Sequence, residues 1–339
     1  MNCERLKSIC KRYGHSPLSY LTLNPRLSHF TRPGADGYIA WGKAGRTAVA
    51  LTDPITSVED LEGLTGAFRM DCEARDEHVV FFGATGRFDR ELVRLGYHRY
   101  ILGRDAVLDA AGFSLKGNRM QNIRRGCNHA RNVGLEAFEL KGGSGADMKA
   151  FHEIHDISRK WLRLKRTPEI EHIVWKLDSV PNPDLRYFIA RSSDRLEAFV
   201  TFNPIYPTGD WYLDLTRRRV DAPNGVLDYL IVESLKVLRA EGMRKLYLGM
   251  VPDPKIHRQM YPGQRIMKGM MRLGAQFSDL LYPVKSEHFF KEKYQPRWKE
   301  NFIFSADRLT AWRLYDILEF VQPEGLAGIL RHKVAAAIF

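Results

Sequence analysis

Between Trp211 and Met250 the chain changes its period twice. Residues Trp211 to Arg217 alternate apolar with polar side chains, as a half-buried strand does, whereas Leu227, Leu230, Ile231, Ser234, Leu235 and Leu238 recur at helical spacing. The run Leu246 to Met250 then reads as strand again. Antiparallel strands followed by a strand–helix–strand crossover require a mixed sheet covered by helices, so this stretch sets the fold class as α/β (α+β). The turn into the helix, Asp221-Ala222-Pro223-Asn224-Gly225, follows three arginines. Unpaired N–H groups at a helix start beside such cations suit an anion.

The same theme occurs earlier. Tyr38 to Leu51 reads as a hairpin around Lys43–Arg46, Val58 to Arg75 as a helix, His78 to Phe82 as a strand, and Phe88 to Leu95 as a short helix closed by Gly96. Further on, a helix is expected from Ala146 to Lys165, with strands at Tyr187–Arg191 and Ala198–Ile205. A chain of 339 residues exceeds one domain of roughly 150. The expected division is 1–113, a basic connecting helix at 114–134, and 135–339.

Charge narrows the partners. The net charge is +12 and the pI near 9.5, which favours nucleic acid or an anionic membrane, simple solubility being the plainer reading. Residues 114–134 carry Lys116, Arg119, Arg124, Arg125 and Arg131 with no acidic residue, whereas an ordinary exposed helix mixes both signs. Cys3, Cys10, Cys72 and Cys127 lack C-x-x-C spacing, which predicts reduced thiols and neither zinc nor disulfides. His152 and His155 stand i, i+3, and no G-x-S-x-G occurs, so metalloprotease and serine-hydrolase readings are poor. No apolar run approaches the roughly 20 residues that span a bilayer, and the N-terminus lacks a signal-like apolar segment. A cytoplasmic protein is expected, with the C-terminal GLAGILRHKVAAAIF as a candidate peripheral contact with an anionic membrane.

Several stretches together resemble the soluble catalytic region of bacterial phosphatidylglycerol lysyltransferases, the aminoacyl-phosphatidylglycerol synthases. They are YGHSPLSYL near Tyr13, LTDP at Asp53 and Pro54, RLGYHRYILGRDAVLDAAGFSLKGNRMQNIRR from Arg94, ISRKWLRLK from Ile157, YLDLTRRRVDAPNGVLDYL from Tyr212, YLGMVP from Tyr247 and FFKEKYQPRW from Phe289. The resemblance implies tandem GNAT-like acyltransferase domains, an aminoacyl-tRNA donor, no cofactor or metal, and an acceptor hydroxyl on a lipid, a soluble small molecule being the alternative. From another class, a non-catalytic tRNA- or anion-binding module is also considered. The chain departs from the family at Thr167-Pro168-Glu169, at Asp253-Pro254, and at Asn301, where an arginine is common.

The resemblance carries Asp214 and Arg217 over as catalytic. It places Asn224, Gly225, Gly249, Trp298 and Lys165 against substrate, and the cations of 114–134 against tRNA. Asp228, in the first turn of its helix, reads either as base and amine-orienting group or as a partner of the helix dipole. Asp214 and Asp228 bracket the turn and are expected to face one cleft. A regular strand, however, points Asp214 and Arg217 to opposite sides, so either a bulge intervenes or their roles differ. Lys293 is the candidate for oxyanion stabilisation, in a segment that interleaves cations with aromatics as an RNA 3′ end prefers. Acyl-CoA is disfavoured, since Pro223-Asn224-Gly225 has a single glycine and a proline without an N–H.

Overall fold

The computed structural model describes residues 2–142, 144–165, 170–193, 195–251 and 284–322. Its strands are β1 (Ser28–Phe30), β2 (Gly37–Ala44), β3 (Thr47–Leu51), β4 (Ile55–Thr56), β5 (His78–Ala84), β6 (His98–Asp109), β7 (Glu136–Leu140), β8 (Arg186–Arg191), β9 (Leu196–Ile205), β10 (Asp210–Arg218), β11 (Lys245–Val251) and β12 (Arg297–Ser305). The helices are α1 (Cys3–Tyr13), α2 (Val58–Ala74), α3 (Asp89–Arg94), α4 (Gln121–Asn132), α5 (Gly145–Lys165), α6 (Val226–Ala240), α7 (Val284–Glu292) and α8 (Ala311–Val321).

All strands join one mixed sheet in the order β1-β2-β3-β5-β12-β6-β11-β10-β9-β8-β7, with β4 beside β2. The fold class is the expected one. Each half holds a GNAT-like unit in which antiparallel strands end in a parallel pair, β3 with β5 through α2 and β10 with β11 through α6. The halves interlock: β12, late in the chain, lies between β5 and β6, and β6 pairs with β11. We keep 1–113, 114–134 and 135–339 as a proposal about chain order, because the sheet itself runs on without a break.

Local signals explain the boundaries. Ser57 caps α2, its side chain accepting from the Asp60 N–H, and Glu59 and Asp60 sit in the first turn. Helix α3 stops before Gly96, whose φ of 86° only glycine adopts without cost. The sheet is covered on both faces. Leu64 and Phe68 of α2 pack with Phe81 of β5, and Leu230, Ile231 and Leu235 of α6 pack with Ile123 and Cys127 of α4 on that same face. On the other face lie α1, α5 and α8, through Leu6, Phe151 and Ile317. Each fully buried Leu, Ile or Phe of this kind stabilises the fold by about 1.5–3 kcal/mol.

The basic helix α4 docks on the start of α6, where a Cβ on Gly225 would stand 2.4 Å from the Gly126 Cα. The Gly225 turn is thus a close approach of two backbones. Arg131 finds a counter-charge after all, in Glu233 of α6 at 2.8 Å, and lies over the Tyr229 ring. The absence of acidic residues within 114–134 was a property of the segment, not of its surroundings. Segment 325–339 and Asp253-Pro254 lie outside the described residues.

Candidate active site

The two parallel pairs differ at their carboxyl ends, where open α/β sheets hold ligands. Strands β10 and β11 pair only at Trp211–Leu246 and Tyr212–Tyr247, then part. Two irregularities drive the parting. In β10 the register shifts between Leu213 and Thr216, and the bulged Leu215 N–H is satisfied by the Thr201 hydroxyl at 3.0 Å. In β11 it shifts between Tyr247 and Met250 around Gly249, at φ 92°.

Lys291 occupies the gap. It hangs from α7 on the α6 side, its side chain only 8% exposed, and its Nζ donates to the Met250 carbonyl at 3.3 Å with Glu287 at 3.6 Å. A Cβ on Gly249 would stand 3.1 Å from that Nζ and 3.5 Å from the Tyr212 hydroxyl, so glycine here makes room for the ammonium. Burial pushes the Lys291 pKa down, against the pull of Glu287 and Asp105.

Asp105 stands on the opposite face. It is buried, accepts from Asn301 Nδ2 at 2.7 Å, and burial raises its pKa to about 6, with Asn301 and then Lys291 opposing. It lines a cavity of about 480 Å³ together with His15, Thr85, Arg87, Tyr247, Lys299, Glu300 and Asn301. Strand alternation puts Asp105 with Val107, Tyr212 and Tyr247 on this face, while Ala106 and Leu108 face α6. The Lys291 ammonium thus sits on the carbonyl of Met250, the residue paired with Asp105, and the buried carboxylate and buried ammonium feel each other's charge. Such a pair takes a proton at one atom and stabilises negative charge at another.

The positions singled out from sequence are scattered over both faces of the sheet. Asp228 and Lys293 meet at 2.5 Å, and Tyr294 donates to the same Asp228 oxygen at 2.5 Å, forming a cluster on the α6 side. Here Lys293 neutralises a carboxylate, whereas the buried ammonium in the gap is Lys291. Asp214 and Arg217 share the opposite face because of the β10 bulge. Asp214 accepts from the Trp175 N–H at 2.9 Å and Asn203 at 3.1 Å, and the buried Arg217 donates to Ser158 of α5 and lies 5.2 Å from the Trp161 ring. Asp214 and Asp228 therefore do not face one cleft: the sheet stands between them. Trp298 stacks on His288 at 5.1 Å and bonds Glu292. Lys116, Arg119 and Arg125 are exposed, Arg119 reaching Gln295 at 3.4 Å, while Arg124 is turned inward to the Leu115 and Gly117 carbonyls. Asn224 is exposed, and the Lys165 side chain lies outside the described residues.

Asp105 and Lys291 were not identified from sequence. Faint signals existed: one carboxylate inside the strand-like Ile101–Leu108, and an ammonium directly after two phenylalanines. Among the described residues no cluster of His, Cys, Asp and Glu is arranged to hold a metal, and no helix is long and apolar enough to cross a membrane.

Comparison with known proteins agrees with this architecture. The family model for the C-terminal region of phosphatidylglycerol lysyltransferase matches residues 7–304. A phosphatidylglycerol lysyltransferase of Bacillus subtilis strain 168 is 25% identical over 311 residues, which cover 88% of this chain and 34% of that protein. The chain thus spans about a third of the length of such curated relatives. Among solved structures, the C-terminal domain of a putative lysylphosphatidylglycerol synthetase from Agrobacterium fabrum superposes with a TM-score of 0.78 at 23% identity, covering 94% of this chain and 96% of that one. L-PGS from Bacillus licheniformis gives 0.77 at 19% identity, again covering 94% and 96%. At these identities the structures speak to the fold.

Proposed function

Since the chain belongs to the family of phosphatidylglycerol lysyltransferase C-terminal regions, we propose that it is an aminoacyltransferase that moves an amino acid from charged tRNA to a hydroxyl of phosphatidylglycerol. The observation that carries the reading is the parting of β10 and β11, with Lys291 in the gap and Asp105 beneath the cavity on the far face. Two substrates approaching from opposite faces would meet there.

The donor is already an activated ester, so alignment and charge stabilisation account for most of what is required. The acceptor oxygen attacks the ester carbonyl as Asp105 takes its proton, and the carbonyl oxygen becomes an oxyanion beside the Lys291 ammonium. Collapse breaks the bond to the terminal ribose, whose oxygen leaves with a proton, and the new ester remains on the acceptor. A base with pKa about 6 is ionised at neutral pH yet close enough to it to work efficiently. Asp228 and Lys293, paired on the α6 side and backed by the buried Tyr294, would orient the aminoacyl group.

The test is incubation of the protein with tRNA carrying a radiolabelled amino acid and liposomes containing phosphatidylglycerol. Label in the lipid fraction is expected. Label only in a water-soluble product would transfer the reaction to a soluble acceptor, and no product beyond free amino acid would refute the proposal.

A further inference from the structure

The central cavity has two unlike ends, and the N-terminal half builds the second of them. Thr52, just after β3, is held at φ 61°, a left-handed conformation disfavoured for a β-branched residue. Three bonds keep it there: its N–H to the Phe82 carbonyl at 2.7 Å, and its hydroxyl to Ser16 at 2.5 Å and to the Gly83 carbonyl at 3.2 Å. The next residue, Asp53, is thereby turned into the interior, where it is 5% exposed. Its carboxylate receives the Thr85 N–H at 3.1 Å and the Thr85 hydroxyl at 2.6 Å, and that hydroxyl accepts the Arg87 N–H at 3.2 Å.

This relay of bonds sets the backbone of Arg87 on the cavity wall. The guanidinium leans on Phe88, 5.0 Å from its ring, and touches the Tyr13 carbonyl at 3.5 Å, and among the described residues no carboxylate forms an ion pair with it. Lys299, whose ammonium lies 5.8 Å from the Tyr247 ring, His15 and Glu300 complete the rim over the Asp105 floor, so that Arg87 and Lys299 face one rim carboxylate, Glu300. A strained backbone and a buried carboxylate hold a planar, bidentate donor at a cavity mouth, an arrangement that matches a phosphate ester.

We infer that the central cavity is the acceptor site and takes an alcohol bearing a phosphodiester, its phosphate held by Arg87 of the N-terminal half and its hydroxyl directed at Asp105. The inference rests on the aminoacyl-transfer reading above. A phosphodiester of this kind occurs in a lipid headgroup and in a soluble glycerophosphodiester. The N-terminal unit would then supply the phosphate contact, Arg87, together with the base, Asp105, and the C-terminal unit the ammonium of Lys291.

The test compares the wild type with Arg87→Ala and Arg87→Lys. Transfer is assayed to short-chain phosphatidylglycerol and to soluble glycerophosphoglycerol, and binding of each is measured by calorimetry. Arg87→Ala is expected to raise the acceptor KM about ten- to a hundredfold, the worth of one charge-assisted contact, with kcat and the KM for charged tRNA within about twofold. Arg87→Lys should recover part of the loss. Preference for the short-chain lipid identifies a headgroup site, and equal use of the soluble diester a free one; either supports the inference. An unchanged acceptor KM, or an equal rise in the tRNA KM, overturns it while leaving the reaction intact. Arg87-dependent binding without any transfer would uphold the site and remove the reaction, and neither binding nor transfer removes both.

Discussion

The two halves of the molecule repeat one plan and finish it differently. In the N-terminal half β3 and β5 pair all along from Thr47–His78 to Leu51–Phe82, and the Thr52 N–H extends the pairing to the Phe82 carbonyl. In the C-terminal half β10 and β11 part after Tyr212–Tyr247. Both second strands carry a bulge glycine, Gly83 at φ 71° and Gly249 at φ 92°. Beside Gly83 lies the Leu18 side chain, and beside Gly249 the Lys291 ammonium. The same backbone device therefore closes around a hydrocarbon in one half and around a cation in the other. In the proposed reaction the ammonium acts from the half whose strands separate, because the gap there admits a charged group between the faces, while Asp105 comes from β6 of the 1–113 segment.

The largest expected effect breaks this comparison most directly. Lys291→Met should lower kcat about 10²–10³-fold, the usual cost of losing an oxyanion partner, whereas Leu18→Ala should cost about 1–3 kcal/mol of stability with turnover per folded molecule nearly retained. Steady-state kinetics beside thermal melts read both, and comparable kinetic losses from the two would mean that the Gly83 bulge serves the chemistry as directly as the Gly249 bulge. The paired glycines come next. Gly83→Ala and Gly249→Ala each force a Cβ into a positive-φ bulge and should each lose about 1 kcal/mol or more. Only Gly249→Ala should also lower kcat, by about tenfold, since its Cβ would crowd the Lys291 ammonium.

Two buried carboxylates sharpen the contrast through pH. Burial raises Asp53 to about 7 and Asp105 to about 6, both from 3.8. A raised carboxylate pKa means that the fold favours the protonated form. Stability linked to Asp53 is therefore fully present below about pH 4 and is lost as pH rises through about 7. Melting curves of Asp53→Asn should draw ahead of the wild type progressively from pH 5 to 8, and parallel curves would show that burial is not what perturbs Asp53. Activity should follow the other carboxylate, with kcat/KM falling as pH drops through about 6 and Asp105→Asn nearly inactive. The smallest effect concerns the basic helix. Arg131→Ala, which removes a partly exposed pair with Glu233, should cost only about 0.2–1 kcal/mol by denaturant titration, and a loss of several kcal/mol would make α4 a structural keystone of the C-terminal half.

Much of this architecture was legible because it is local. The hairpin within Tyr38–Leu51, the helix starting at Val58 and the crossover from β10 through α6 to β11 each declare themselves within a few residues by period, cap or turn. Site residues were legible only as types. Two lysines stand two positions apart in Phe289–Trp298, and nothing local says which of them enters the sheet. The end of α7 decides that, turning Lys293 toward Asp228 and leaving Lys291 buried. Asp214 and Asp228 were judged neighbours because they are close in sequence, yet the strand between them divides the protein into two faces.

What the sequence by itself determined is the set of elements, since helix and strand follow from backbone preference and hydrophobic period over short spans. Tertiary structure alone decided that β12 enters between β5 and β6, that Glu233 answers Arg131, and that Lys291 reaches the carbonyl of Met250, the residue paired with Asp105. Each of these depends on backbone groups far apart in the chain finding one another, and on how much water their packing removes. Neither quantity is a property of any short stretch.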